Sequence, residues 1–191
     1  RVLFRSLLNQ MGMNVIGIDL SEKNIDYARQ YENDRLHFYV HDMRNEFEKG
    51  PFDFVLNFFT SFGYFDTREE NEKVVRNVSD SLKKNGKFLL DFLNPYTVTH
   101  HLDKEDLKNI DGIEFRLSKN LRDDGYIIKH IDIEDQGKKY HFREKVKAIR
   151  RTEFMTYFDK AELELLHIFG DYELNPYIPE KSERMIFLLE K

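Results

Sequence analysis

Cysteine is absent from this sequence. That absence excludes disulfide bonds, zinc sites built from thiolates and a cysteine nucleophile. Runs of apolar residues are short, and none approaches the roughly 18 residues that a membrane-spanning helix needs. No basic segment is followed by an apolar stretch and a small-residue cleavage site, so no secretory signal is visible. We therefore expect a cytoplasmic protein with no membrane partner.

An excess of positive charge is also lacking. The 191 residues carry a formal net charge of −5 at neutral pH, which argues against a nucleic-acid or anionic-membrane partner. A chain of this length is expected to form one domain, here residues 1–191, with a substantial core. We expect either a monomer or a homodimer.

The first half of the chain alternates between helical and strand-like segments. Four short apolar stretches predict buried strands, at 14–20, 36–40, 52–59 and 87–93. Ser21 can cap a helix that runs to about Gln30. A capping box at 67–70 begins another helix, which Asn85-Gly86 is expected to end. Parallel strands need helical crossovers, so this alternation predicts an α/β fold that is doubly wound around a mostly parallel sheet.

The pattern changes after Pro95. Residues 96–111 are expected to form loop and a short helix. Three stretches of alternating polarity follow, at about 113–120, 126–134 and 139–149, joined by Asp-Asp-Gly and Asp-Gln-Gly turns. These features predict an antiparallel β-meander with one wet face, inserted over 112–150. Beyond it, Asp159 is expected to start a capped helix, and two strands are expected near 164–169 and 184–189.

Asp19 is the first residue that points to chemistry. An acid at the end of a strand in a doubly wound sheet commonly accepts hydrogen bonds from the ribose of a nucleoside-containing cofactor. An ordinary helix-capping acid is the alternative. The matching glycine-rich loop should lie about 20 residues earlier, which places it at or before residue 1, and no GxGxxG pattern occurs in the chain. Either this loop is missing from the chain, or the ribose-binding interpretation of Asp19 is wrong.

Two further strand ends carry candidate binding residues. Asp42 follows the second strand at the same predicted sheet edge as Asp19, and ligands of open α/β sheets bind outside the carboxyl ends of the strands. Taken alone, Asp42 is more simply explained as a solvated loop acid. The stretch 57–65, NFFTSFGYF, follows the third strand and contains aromatic and small polar residues without charge. Such a loop suits an apolar ligand wall or a cation–π cradle, although core packing explains Phe58 and Phe62 equally well.

The order of these motifs resembles that of class I S-adenosylmethionine-dependent methyltransferases, and is most similar to their UbiE-like, small-molecule branch. The resemblance rests on GIDLS, HDM, FDFVLNFFTSFGYF, LKKNGKFLLDFLNP and FGDY…SERMIFLLEK, read in this order along the chain. It covers most of residues 7–191. It implies a Rossmann-like, seven-stranded sheet whose last strand is antiparallel. The chain departs from the family at its start, where the first strand and glycine loop are absent.

The resemblance also implies a cofactor site for S-adenosylmethionine. Asp19 would hold the ribose, with Leu20 beside it. Asp42 and Met43 would flank the adenine. Asn57 and Phe58 would lie beside the methionine part.

The acceptor side is less well defined by the sequence. Transfer of a methyl group from a sulfonium is an in-line displacement, in which the protein mainly supplies proximity and alignment. Tyr64, just past the third strand, is the candidate catalytic residue and acceptor contact, with Ser61 and Asn94 as weaker candidates. His100 and His101 could supply a base on a lid loop, but two solvated loop histidines are the simpler reading.

Other readings of the sequence remain open. A nicotinamide-dependent Rossmann oxidoreductase shares the strand-end acid, but no Tyr/Lys pair for hydride transfer is found. A methyltransferase-like fold that only binds is the non-enzymatic alternative. The meander is expected to cover the substrate, as insertions in this fold class often do, or to mediate dimerisation. His37 and His41 share a strand face but lack a third ligand, so no metal site is expected.

Overall fold

The computed structural model describes residues 2–100 and 106–191. By its internal contacts the chain divides into two compact units, the first ending at Lys49 and the second running from Gly50 to Lys191. We describe each unit by itself.

The first unit has a two-stranded parallel sheet and two helices. Its elements are α1 (Val2–Gln10), β1 (Val15–Asp19), α2 (Glu22–Arg29) and β2 (Leu36–Val40). Ser21 caps α2 as predicted, since its hydroxyl accepts a hydrogen bond from the backbone of Asn24. Strand β1 pairs in parallel with β2, so that both strands end at the same edge. The core is a small apolar cluster of Ile25, Ala28, Leu36 and Phe38, with Val15 against it.

The second unit is built on a four-stranded mixed sheet in the order β3-β4-β10-β9. Its α/β elements are β3 (Phe52–Asn57), α3 (Arg68–Ser81), β4 (Leu82–Leu93), α4 (Pro95–His100), α5 (Arg151–Lys160), β9 (Glu164–Phe169) and β10 (Arg184–Glu190). Strands β3 and β4 are parallel, and β10 is antiparallel to both β4 and β9. The predicted antiparallel last strand is therefore observed, and β3, β4 and β9 end at one edge.

The single seven-stranded sheet that the resemblance implies is not confirmed. Outside the meander, the described residues form six strands, which are divided between a two-stranded and a four-stranded sheet. Each of these two sheets lies within one of the two units.

The inserted meander is a separate antiparallel sheet of four strands rather than three. It comprises β5 (Asp106–Ile110), β6 (Ile113–Leu121), β7 (Tyr126–Asp135) and β8 (Lys138–Lys147), paired in chain order. The three predicted strands are confirmed, but the prediction of loop up to residue 111 is wrong. Residues 106–110 alternate too weakly to be recognised, and they become a strand because β6 offers them a pairing edge across the Asp111-Gly112 turn.

Two predicted ends in the first half shift. The capping box at Thr67 is present, but α3 ends at Ser81 instead of Asn85-Gly86. Asn85 does adopt the left-handed conformation, at φ 64°. Its N–H, however, donates to the carbonyl of Lys191, so this residue serves an irregularity within β4. Strand β3 ends two residues early, because Phe59 and Thr60 also have positive φ.

The helix predicted to start at Asp159 is misplaced. The structure has α5 over Arg151–Lys160, and Asp159 lies in its last turn. The N-terminal signal is Glu153, whose carboxylate accepts a hydrogen bond from the backbone N–H of Arg150. Phe154, Tyr157 and Phe158 follow at helical spacing and are buried. These aromatic residues, and not the leucines after Asp159, define the helix.

An aromatic cluster forms the core of the second unit. Phe154 of α5 lies at its centre, with ring centroids 5.1 Å from Phe92, 5.1 Å from Phe187 and 5.6 Å from Phe62. All four side chains are fully buried. Edge-to-face and tilted aromatic pairs at such distances stabilise the fold by more than the burial of their apolar area alone. The cluster joins α5, both central strands and the loop after β3.

Replacing Phe154 by alanine is therefore expected to destabilise the chain strongly. A cavity at the centre of this cluster should lower the free energy of unfolding by about 3–5 kcal/mol. Phe142 of β8, which is 52% exposed, is the matched control, and Phe142→Ala should cost less than about 1 kcal/mol. Urea denaturation of both variants followed by circular dichroism checks this, and equal losses would contradict the central role of Phe154.

Candidate functional site

Asp19 ends β1 with its carboxylate at the carboxyl edge of the two-stranded sheet. The side chain is half-buried. Its Oδ1 accepts a hydrogen bond from the backbone N–H of Ser21 at 2.9 Å, and the Asn24 amide lies 3.5 Å from both carboxylate oxygens. These contacts orient the acid at the start of α2. Leu20, the next residue, is 67% exposed.

Asp42 lies two residues past β2 and is held by Arg44. The guanidinium of Arg44 donates to both oxygens of Asp42, with a shortest distance of 2.7 Å, and its backbone N–H donates to Oδ1 at 2.9 Å. This charge-assisted bonding lowers the pKa of the Asp42 carboxyl, so the acid is ionised at neutral pH. Met43 between them is half-buried. The prediction that Asp42 contacts adenine did not anticipate this Arg44 clamp.

The loop after β3 turns sharply because two consecutive residues are left-handed. Phe59 has φ 59° and Thr60 has φ 54°, values that non-glycine residues rarely adopt and that cost free energy. Asn57 and Phe58, the predicted cofactor contacts, come immediately before this turn, and both are half-buried. Ser61 comes after it, and its hydroxyl donates to the carbonyl of Phe58 at 2.8 Å.

The Asp91 carboxylate holds this turn in place. Asp91, near the carboxyl end of β4, is fully buried. Its Oδ2 accepts from the backbone N–H of Phe59 at 2.7 Å and from the hydroxyl of Tyr172 at 3.0 Å, while its Oδ1 accepts from Nε of Arg184 at 2.8 Å. Arg184, the first residue of β10, also donates to the hydroxyl of Thr60. One buried acid thus connects β4, β10 and the turn.

Sequence reasoning missed Asp91, Arg184 and Tyr172. The available signal was the acid inside the otherwise apolar segment FLLDFL, which was read only as a buried strand. A carboxylate in such a position needs a charged or strongly hydrogen-bonded partner. That partner, Arg184, lies 93 residues away in the chain, and no local pattern identifies it.

The predicted acceptor residues occupy different environments. Tyr64 is 44% exposed, whereas the Asn94 side chain is 1% exposed. The Asn94 amide donates to the carbonyls of Pro179 and Ser182, each at 2.7 Å. Asn94 thereby ties the end of β4 to the segment before β10. The assignment of Tyr64, Ser61 and Asn94 as acceptor contacts stays a prediction.

Of the two histidine candidates, the structure describes His100. His100 stacks on Tyr96 at 4.3 Å, and its Nδ1 is 2.7 Å from the carbonyl of that residue. His101 lies outside the described residues. Within 2–100 and 106–191, no group of three or more His, Asp or Glu side chains is arranged to hold a metal ion. In the same ranges no helix has the length and apolar character to cross a membrane.

The base of the meander is bonded to the loop that carries Tyr64. The Tyr126 hydroxyl lies 3.2 Å from the carbonyls of Phe65 and Asp66, and the backbone N–H of Lys147 donates to the carbonyl of Gly63 at 2.7 Å. The Nζ of Lys145 is 4.0 Å from the Tyr126 ring centroid and 3.0 Å from the Asp66 carboxylate. The meander and the predicted acceptor loop therefore share one set of contacts.

Breaking the Asp91–Arg184 pair is expected to destabilise the chain. Arg184→Met leaves a fully buried carboxylate without its cation, which should cost about 3–5 kcal/mol. The double variant Asp91→Asn/Arg184→Met should lose at least ~1 kcal/mol less than the sum of the two single losses. The reason is that the double variant leaves neither charge buried without its partner. Chemical denaturation of the double-mutant cycle measures this coupling.

The exposed pair of Lys83 and Asp53, 2.8 Å apart, provides the control. Asp53→Asn should cost less than about 1 kcal/mol, since solvent screens that pair. Additive losses within the Asp91–Arg184 cycle, or a loss no larger than that of Asp53→Asn, would contradict the importance of the buried pair.

Comparison with known proteins is consistent with this geometry. Residues 2–90 match the family described as "Methyltransferase domain". This range contains the ends of β1, β2 and β3 and the loop through Tyr64. No curated protein sequence gives a significant match.

Solved structures of low sequence identity share the fold. An S-adenosylmethionine-dependent methyltransferase from Clostridium acetobutylicum is 18% identical, with a TM-score of 0.81 over 93% of this chain and 74% of that one. The CcbJ methyltransferase from Streptomyces caelestis is 15% identical, with a TM-score of 0.81 over 95% and 76%. CalS10, an amino pentose methyltransferase from Micromonospora echinaspora, is 19% identical, with a TM-score of 0.68 over 93% and 73%. The chain thus shares the α/β fold of these solved methyltransferases, and its residues 2–90 match the methyltransferase domain family.

Proposed function

We propose that this chain is an S-adenosylmethionine-dependent methyltransferase of the UbiE-like branch that acts on a small molecule. The observation that carries the proposal is the family match over residues 2–90, because this range includes each strand end at which a cofactor contact is predicted. Neither the nicotinamide oxidoreductase nor the binding-only alternative gains support from the fold or from the family match.

The side chains at the ends of β1 and β2 fit the nucleoside half of the cofactor. Asp19, oriented by Ser21 and Asn24, would accept hydrogen bonds from the ribose hydroxyls, since an ionised carboxylate offers about four acceptor positions. Leu20, largely exposed beside it, would supply apolar contact. Met43 would lie against the adenine ring. Asp42 would accept from the adenine while keeping its bonds to Arg44.

The methionine half is proposed to meet the end of β3. Asn57 supplies amide hydrogen-bonding groups for a zwitterionic tail, and Phe58 supplies an aromatic face for the region around a cationic sulfur. When bound, S-adenosylmethionine supplies an activated methyl group that an acceptor removes by in-line displacement. The contribution of the protein is alignment, which reaches roughly 7–11 kcal/mol in well-oriented systems.

The acceptor is proposed to lie against the loop 61–64. Tyr64, partly exposed, would face the acceptor and hold it through a hydrogen bond of its hydroxyl, with Ser61 beside it. Asn94 would contribute by holding the segment before β10 in place. The meander, predicted as the insertion 112–150 of a single domain, would cover this side. Its bonds from Tyr126 and Lys147 to the loop support that assignment.

The solved structures of similar fold support a small-molecule acceptor. One of them is described as an amino pentose methyltransferase, and another, KedS8 from Streptoalloteichus, as a sugar N-methyltransferase. A net charge of −5 on this chain disfavours anionic polymers as acceptors.

The cofactor assignment is tested with the Asp19→Asn variant. Removing the charge that would accept ribose hydroxyls should weaken S-adenosylhomocysteine binding about 10- to 100-fold, as expected for a charge-assisted bond worth about 1.5–3 kcal/mol. Isothermal titration calorimetry on the wild-type and variant chains measures the affinities.

Asp26→Asn is the matched control for this measurement. Asp26 is an acid on α2 that pairs with Arg29 at 3.1 Å and is well exposed, so its loss should leave the affinity unchanged. Equal affinities for wild type and Asp19→Asn, or equal losses in both variants, would overturn the role assigned to Asp19.

A further inference from the structure

Phe59 and Tyr172 form an exposed aromatic surface at the edge where β3, β4 and β9 end. Their ring centroids are 6.5 Å apart with a 54° angle between the planes. The Phe59 side chain is 48% exposed and that of Tyr172 is 58% exposed. Ligands of open α/β sheets bind outside the carboxyl ends of the strands, so these rings lie at the functional edge of the second unit.

Both rings are positioned by the same buried oxygen. Oδ2 of Asp91 accepts from the backbone of Phe59 and from the Tyr172 hydroxyl. The guanidinium of Arg184 lies 5.8 Å from the Tyr172 ring centroid while it bonds to Asp91. Two exposed rings on segments more than 100 residues apart in sequence are thus fixed relative to each other.

We propose that Phe59 and Tyr172 are the binding face for the methyl acceptor, and that this acceptor presents a ring that is neutral or cationic. The inference rests on the proposed function for the identity of the ligand as an acceptor. It adds two specificity residues that lie outside the predicted set of Ser61, Tyr64 and Asn94. Aromatic faces offer dispersion contact to a flat ring and a negative quadrupole to a cation.

The charges around the two rings favour this class of ligand over an anion. The loop 57–65 contains no charged residue, and Arg184 is neutralised by its pairing with Asp91. In the sequence, Tyr172 stands between two acids, Asp171 and Glu173. Hydrogen bonds from Asn175 lower the pKa of Asp171, so this neighbour carries negative charge at neutral pH.

Saturation-transfer NMR with three probes tests the proposal on the whole chain in the presence of S-adenosylhomocysteine. The probes are benzylamine, n-butylamine, which lacks the ring, and benzoate, which has the opposite charge. Benzylamine should receive the strongest saturation. Phe59→Leu and Tyr172→Leu, which replace the ring by an aliphatic group, should each reduce that signal at least threefold.

Two further variants distinguish the ring from other effects. Tyr172→Phe keeps the ring but loses the hydroxyl bond to Asp91, so it should retain more of the benzylamine signal than Tyr172→Leu. Tyr27→Leu changes a tyrosine of similar exposure, 61%, on α2 and should retain the full signal. Thermal unfolding of every variant identifies any that fail to fold.

The outcomes separate this proposal from the proposed function. Calorimetric binding of S-adenosylhomocysteine without a ring-dependent probe signal would overturn the aromatic binding face and leave the cofactor assignment intact. A ring-dependent signal without S-adenosylhomocysteine binding would overturn the acceptor role, because the face would then serve another ligand. Benzoate saturated as strongly as benzylamine, or equal losses in Tyr27→Leu and Tyr172→Leu, would also overturn the proposal.

Discussion

The hydrogen bonds around the Asp91 carboxylate are the constraint on which the second unit depends. A fully buried acid near the carboxyl end of β4 is costly unless it is paired, and here Arg184, Tyr172 and the backbone of Phe59 pair it. In return, the carboxylate fixes a turn in which Phe59 and Thr60 both adopt left-handed backbone conformations. Such a turn persists only when its surroundings determine it. The loop that carries Tyr64 begins from that turn.

The first unit has a simpler arrangement, in which acids lie at or just after the ends of parallel strands. Asp19 and Asp42 come at and just after the ends of two paired strands, and each is oriented by neighbours close in sequence, Ser21 and Arg44 respectively. Local contacts of this kind orient both carboxylates within short loops. The second unit contrasts with this arrangement, since its candidate binding residues depend on partners that are distant in the chain.

This contrast explains what the sequence could predict. Strands β1 and β2, the Ser21 cap and the Thr67 capping box are local patterns, and all were predicted correctly. Strand β5 and the true extent of α5 were missed, because a weak strand forms against its neighbour and because the buried face of α5 is defined by aromatic packing with Phe92 and Phe187. Asp19 and Asp42 were predicted as candidates from strand position. Asp91 was not predicted, since its structural role depends on its pairing with Arg184, and sequence patterns do not indicate such distant pairs.

Backbone amide NMR of the chain, titrated separately with S-adenosylhomocysteine and with NADH, tests the central claim most directly. That claim is that the ends of β1, β2 and β3 bind the cofactor of a methyltransferase. It predicts saturable shifts with S-adenosylhomocysteine that concentrate at residues 19–21, 41–44 and 57–64, and no saturable shifts with NADH. Saturable shifts with NADH alone, shifts confined to the meander, or no shifts with either compound would contradict it.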